Sequence, residues 1–318
     1  MAVYLAPISL GLGDLILSLP VVQGLIDRGE EVYLIAHSAP LEELAGRIKG
    51  LAGTIAEASF AKMQLARKDV HINLREHPLQ KNYWWGEPKF DRDFPGWRIN
   101  QILEKICLDL RIDANFKSLQ PLIFQKDEDL AESIVFVPGS ASDNKCWTKQ
   151  QWLSLAQKFK EQGVPVLLLG QPDCSKATKE LLPYLPWLPT PKLSSALDVI
   201  TSARAVVAVD TGLMHLAVHQ GIPTIGLFRS HPIYWRDYQN SFAVTARPCD
   251  ARCLIESLKV AYNTVTTFTE FNFRPWGCQV SADQSCMANL SHEKVFAVAQ
   301  SKQELFFGKK EATCLQQS

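Results

Sequence analysis

The run Ala205-Val206-Val207-Ala208-Val209 holds no polar side chain and stops at Asp210-Thr211-Gly212. A short apolar run without alternation reads as a strand buried on both faces, the usual state of a strand inside a parallel sheet. Parallel neighbours need a crossover, and a helical pattern begins at once near Thr211. The same unit recurs on both sides of this point. In the first half, Val3 to Ser9 reads as a strand, Gly11-Leu12-Gly13 as a turn, and Asp14 to about Arg28 as a helix stopped by Gly29. Val32 to Ala36 and Val70 to Leu74 are further strands, with helical pattern around Leu41 to Gly50. Residues 77 to 98 break the alternation and read as a long loop; Ile99 to Leu110 returns to helix.

The second half repeats the scheme. Ser133 to Val137, Val166 to Leu169 and Thr224 to Phe228 are strands. Trp147 to Gln162 is an amphipathic helix with Trp152, Leu155, Ala156 and Phe159 on one face. After Leu169 helical pattern extends to about Leu185, and Ser195 to Ala203 is a short helix with a serine placed to cap it. Ser291 to Phe307 reads as one terminal helix with Ser291 as N-cap. The acidic stretch Gln125 to Asp129 is the linker candidate, which divides the chain into an N-terminal domain at 1–126 and a C-terminal domain at 127–307. Residues 308–318 read as a disordered tail. Two α/β sheets in sequence leave a cleft, and ligands of such sheets sit beyond the carboxyl ends of the strands.

Lys and Arg total 33 and so do Asp and Glu, so no excess of positive charge draws nucleic acid from a distance. The start of the chain lacks a basic segment ahead of an apolar one, and the stretch Leu15 to Ile26 is short and contains Pro20 and Gly24. These features predict a cytoplasmic protein whose eight cysteines are mostly thiols. They leave room for a lipid-linked substrate and for peripheral contact with the inner membrane surface.

Three post-strand motifs carry chemistry. Gly11-Leu12-Gly13-Asp14 lets the backbone approach a ligand closely. Ile16 stands where a dinucleotide fingerprint would have its third glycine, which argues against a nicotinamide cofactor. Asp14 is either a helix-start residue or a general base at the cleft. Pro138-Gly139-Ser140 is followed by Lys145-Cys146-Trp147, which places a cation beside a helix N-terminus. A bound anion resolves that electrostatic conflict; a solvated lysine is the plainer alternative. In Asp210-Thr211-Gly212-Leu213-Met214-His215, Gly212 keeps a side chain clear so that backbone N–H groups reach phosphate oxygens. Taken singly, Asp210 could be an N-cap and His215 a core residue.

Together these three blocks, with Leu19-Pro20, resemble glycosyltransferase family 9, the family of ADP-heptose:lipopolysaccharide heptosyltransferases, over about residues 3 to 300. The resemblance implies a GT-B fold of two Rossmann-like domains and inverting, metal-independent sugar transfer. The nucleotide-sugar is then a substrate, and no cofactor is called for. It implies that the N-terminal domain receives a glycan or glycolipid acceptor, and that the C-terminal domain holds the donor. Asp14 matches the catalytic aspartate, Lys145 a phosphate-contacting lysine, and Asp210, Thr211, Gly212, Leu213 and His215 the donor-binding turn. Gly11, Gly13 and Ser140 fall in turns near the cleft. Two alternatives stay open: a GT-B transferase for another nucleotide-sugar and acceptor, and a nucleotide-binding relative without catalysis.

The sequence departs from the family after Phe228, where Arg229-Ser230-His231-Pro232 replaces a Gly-Pro-Thr type turn; Arg229 either alters the sugar pocket or adds a phosphate contact, so the sugar itself stays open. Cys249, Cys253, Cys278 and Cys286 resemble the cysteine-rich segment of many members, split here by an insertion at about 254 to 277. Whether the four bind zinc, pair or stay free is open at this stage. The loop at 77–98 carries Trp84, Trp85, Phe90, Phe94 and Trp97 among basic residues, a composition suited either to packing on its own domain or to stacking on sugars and lipid headgroups.

Overall fold

The structure is a computed structural model and describes residues 1–83, 88–140, 145–173, 175–229, 232–246 and 286–308. Strands β1 (Ala2–Ala6), β2 (Glu31–Ala36), β3 (Gly53–Ala56) and β4 (Val70–Asn73) form a parallel sheet in the order β3-β2-β1-β4. Helix α1 (Leu12–Asp27) crosses from β1 to β2 and is buried from Leu15 to Val22, because it packs on its own sheet and also on the second half of the chain. Helices α2 (Ala39–Ala45), α3 (Glu57–Phe60), α4 (Pro78–Lys81), α5 (Pro88–Asp93) and α6 (Ile99–Leu110) complete this half. In α6 the buried Ile99, Ile102, Leu103 and Ile106 follow the helical period, and its bounds match the sequence reading.

The segment read as a long loop contains α4 and α5. Its aromatic residues pack on each other: Phe94 lies 4.7 Å from Trp97, 5.3 Å from Phe90 and 5.2 Å from Tyr83, ring centre to ring centre. Phe90 is fully buried. The described aromatics therefore form a local core; Trp84 and Trp85 lie outside the described residues.

The second sheet holds β5 (Ile134–Val137), β6 (Val166–Leu169), β7 (Trp187–Leu188), β8 (Ala205–Val209), β9 (Thr224–Phe228) and β10 (Ser241–Thr245), all parallel, in the order β10-β9-β8-β5-β6-β7. Every residue of β8 is buried, as its composition predicts. Helices α7 (Lys149–Glu161), α8 (Lys176–Leu181), α9 (Leu193–Ser202), α10 (Gly212–His219), α11 (His292–Ser301) and α12 (Gln303–Phe307) surround it. Two expectations change. Helix α9 is capped by Lys192 without a side-chain bond, and the Ser194 hydroxyl reaches Glu43 of the first half instead. The terminal helix bends at Lys302 (φ −122°, ψ 48°) into α11 and α12, while Ser291 caps α11 by accepting from the Lys294 N–H at 3.3 Å. The tail from residue 309 onward and Cys249, Cys253 and Cys278 lie outside the described residues.

One buried cluster runs from Val3, Leu5 and Ile102 through α1 to Met214 and Leu216 of α10 and to Val135 and Val206 of the second sheet, so the two halves share a continuous apolar seam. A second cluster fills the opposite face of the second sheet, beneath α7 and α11. Polar contacts also cross the seam, among them Arg47 to Asp198 at 3.5 Å and His219 Nε2 to the Gln120 carbonyl at 2.9 Å. No helix among the described residues is long and apolar enough to cross a membrane.

Candidate active site

Strand order marks the site before any side chain does. In the second sheet the direction of winding reverses between β5 and β8, and in the first between β1 and β4. Loops leave such switch points in opposite directions and open a crevice at the carboxyl ends. Ser140 follows β5 and Asp210 follows β8, and the Ser140 hydroxyl donates to the Asp210 carbonyl at 3.0 Å. Asp14 follows β1 at the start of α1.

The N-termini of α1 and α10 abut across the seam. A Cβ on Gly212 would lie 2.7 Å from Leu12 Cβ and 2.9 Å from the Gly13 nitrogen, and one on Gly13 would lie 3.0 Å from the His215 ring. Glycine is required at Gly212 by close approach, since its neighbours are backbone and the first two carbons of the Leu12 side chain. Replacing Gly212 by Val is expected to force the helices apart at a cost of about 1–3 kcal/mol. Thermal unfolding of the variant measures that cost, and an unchanged midpoint would mean that the seam tolerates the added bulk.

The structure brings Asp14, Lys145, Asp210 and His215 into one electrostatic group. Lys145 Nζ lies 2.8 Å from Asp210 Oδ2, and His215 Nε2 lies 3.7 Å from Asp210 Oδ1. Burial alone would raise the Asp210 carboxyl, but Lys145 and His215 outweigh it and hold it below the usual carboxylate range. Burial is also the main reason that the His215 ring titrates below its ordinary value, so it is uncharged at neutral pH. Asp14 behaves in the opposite way. Burial lifts its carboxyl to about 6, against the lowering effects of the Gly11 N–H, the Ser9 hydroxyl and Lys145, and with a further push from the Asp210 anion.

The local roles differ from the simplest sequence reading. Gly11 is the N-cap of α1, and Asp14 in the first turn accepts its N–H at 3.0 Å. Asp14 is thus a helix-start residue and a cleft carboxylate at once. Thr211, not Asp210, is the N-cap of α10, which leaves the Asp210 side chain for Lys145. The free N–H groups of the first turn of α10, including those of Gly212 and Leu213, are available for an anion by helix geometry. His215 is both a packed residue, 5% exposed, and a partner of Asp210.

Three residues near the site carry no signal strong enough to single them out in the sequence. Ser9 hydrogen-bonds to the Asp14 carboxylate. Tyr234 is pushed to a higher pKa by burial and by both Asp14 and Asp210. Arg75 follows β4 at the other switch point; its Nε donates to the Pro7 carbonyl at 3.4 Å and its Nη1 lies 2.6 Å from Glu57. A small cavity beside β1 is lined by Ser9, His37 and Arg75. The post-strand position of Arg75 was the available clue. Arg229 is half-buried after β9; Ser230 and His231 lie outside the described residues.

Two parallel sheets whose switch points meet, with a helix N-terminus and a lysine on one side and a carboxylate on the other, define an α/β protein of two Rossmann-like halves. The model of glycosyltransferase family 9 (heptosyltransferase) matches residues 106–256, which contain Lys145 and the 210–215 turn. Lipopolysaccharide heptosyltransferase 1 of Pseudomonas aeruginosa is 37% identical over 105 residues, covering 31% of this chain and 29% of that protein. The protein of the same name from Escherichia coli K12 is 31% identical over 104 residues, covering 31% and 33%. The match thus spans about a third of the length of these curated relatives. A glycosyl transferase family 9 structure from Veillonella parvula superimposes with a TM-score of 0.66 at 15% identity, covering 97% of each chain. An E. coli heptosyltransferase with ADP-2-deoxy-2-fluoro heptose superimposes with a TM-score of 0.61 at 15% identity, covering 95% of this chain and all of that one. The fold is GT-B, shared with these solved structures, and residues 106–256, a little under half of the chain, are similar to glycosyltransferase family 9.

Proposed function

We propose that this protein is an inverting, metal-independent glycosyltransferase. It moves a heptose-like sugar from a nucleoside diphosphate, ADP-heptose in the leading reading, to a lipopolysaccharide core or related glycan. The observation that carries the reading is the meeting of Asp14 with the Lys145–Asp210 pair across the seam. The names of the sequence relatives support the heptosyl donor and the lipopolysaccharide acceptor. So does the neighbouring fold, solved with an ADP-linked heptose analogue.

In this reading the acceptor hydroxyl attacks the anomeric carbon as Asp14 takes its proton. The bond from that carbon to the diphosphate oxygen breaks, and its electron pair stays with the leaving diphosphate. A single carboxylate suffices because no sugar–enzyme bond forms. Charge growing on the leaving group meets Lys145 and the N–H groups at the start of α10. The donor is a substrate, and no cofactor takes part. The acceptor lies on the first-sheet side, beside Ser9 and Arg75. Work at the cytoplasmic face with peripheral membrane contact follows from a glycolipid acceptor.

The pH dependence is a first test. Asp14 must be ionised to act as base, so kcat/KM should rise with pH with a midpoint at about 6 and level off above it. A profile flat between about pH 5 and 7, a unit either side of that midpoint, would exclude Asp14 as the titrating base. The reading as a whole is tested by nucleoside diphosphate release from a panel of ADP-, UDP- and GDP-sugars with core glycolipid acceptors and a chelator present. Binding without transfer or hydrolysis across the panel would favour a non-catalytic relative. Arg229 favours including sugars other than heptose, since it sets a cation after β9 where the family has a small turn.

A further inference from the structure

The charges at the donor site do not balance as they first appear to. Lys145, the evident phosphate ligand, is already matched by Asp210 at 2.8 Å. A second cation sits behind α10. Arg236 is 1% exposed, and its Nη2 donates to the carbonyl of His215 at 2.8 Å. Its Nε and Nη1 are buried without a hydrogen-bond partner, and no carboxylate among the described residues pairs with it. Asp237 beside it turns instead to Arg98 of the first half. The groups that face Arg236 are His215 and His219 of α10 and the ring of Tyr238, whose centre is 5.9 Å from the guanidinium carbon.

The surrounding chain holds this side chain firmly. Trp235 packs edge-on against Phe228 of β9 at 5.4 Å, its backbone N–H donates to the Pro232 carbonyl at 2.9 Å, and the Ser241 hydroxyl donates to the Arg236 carbonyl at 2.8 Å. Burying a guanidinium without an anion is strongly unfavourable, so a fold that does so needs an anion nearby to offset it. Burial draws Arg236 down to about 10, so the charge persists at neutral pH. Burial and that same charge keep the His219 ring neutral, lowered to about 3, and neither histidine supplies a competing cation.

We infer that Arg236 is the unmatched cation of the donor site, a positioning residue that acts through α10 to draw a diphosphate to the helix N-terminus. It never touches the ligand. Its field adds to that of the helix dipole in a low-dielectric seam, where an uncompensated charge acts over a longer range than at the surface. The inference deepens the reading of a nucleoside-diphosphate donor and rests on it.

The test is calorimetric titration of inorganic pyrophosphate and of ADP into the full chain and into Arg236→Met, Arg236→Gln and Arg236→Lys, with thermal unfolding to verify each fold. Removing the charge is expected to weaken both ligands by about tenfold, while lysine keeps them within about threefold of the wild type. Arg236→Gln retains an N–H for the His215 carbonyl and decides the matter should Arg236→Met not fold. Neutral variants that bind pyrophosphate like the wild type overturn the inference. So does a lysine variant as weak as the glutamine one, since that ordering marks a packing role, and so does a wild type that binds neither ligand. Charge-ordered pyrophosphate binding in a protein that transfers no sugar would keep the inference and reject the enzymatic reading. Transfer with unaffected pyrophosphate binding in the neutral variants would do the reverse.

Discussion

Asp14→Asn is expected to lower sugar transfer by about 10²–10⁴-fold while leaving donor affinity near that of the wild type. The amide keeps an oxygen for the Gly11 N–H, so the start of α1 is preserved, but it cannot accept the acceptor's proton. The variant should also unfold at a higher temperature above pH 6. The native Asp14 carboxyl is raised by burial from 3.8 to about 6, so ionising it favours the unfolded chain. That contribution to stability is complete below the unfolded value and is lost as pH rises through the native one. An asparagine has nothing to ionise. Greater stability joined to lost transfer would mark a residue kept for chemistry at the expense of the fold. Transfer retained within about tenfold would remove Asp14 from the role of base.

Lys145→Met is the second large effect, a fall of about 10²–10³-fold carried mainly by kcat. In the proposed mechanism Lys145 meets the leaving diphosphate directly, and its loss leaves Asp210 with His215 as its remaining partner. The bare carboxylate would then repel the incoming phosphates. Adding Asp210→Asn should therefore recover part of the lost kcat/KM, a non-additivity expected of residues in one network. The pH midpoint offers an independent readout. Lys145 lowers the Asp14 carboxyl, so its removal should move the midpoint of kcat/KM above about 6. An unmoved midpoint would mean that the two residues are not electrically coupled across the seam.

The interior strands were legible because their apolar runs are unbroken. β6, β8 and β9 carry the bounds read from sequence, and so does α6. The short edge strands β3, β7 and β10 were not read, since an edge strand needs little apolar pattern and borrows its order from the neighbour it pairs with. The failed serine cap of α9 has the same kind of cause: Ser194 finds Glu43, a partner far away in the chain. Asp14, Lys145 and the 210–215 turn stood out because they follow strands. Their mutual arrangement did not. The sequence sets Lys145 against a helix N-terminus, whereas in the fold it lies ahead of the Thr148 cap and answers to the Asp210 carboxylate. Arg236 had no signal at all, because an arginine in a polar-looking segment becomes a buried cation only when α10 packs over it.

The proposed work of the charges gathered at this seam is sugar transfer. The direct measurement is product analysis after wild-type protein is incubated with ADP-heptose, a lipopolysaccharide inner-core acceptor and a chelator. The expected products are ADP and heptosylated acceptor in equal amounts, with the anomeric configuration of the donor inverted. A product of retained configuration, or transfer abolished by the chelator and restored by a divalent metal, would contradict it.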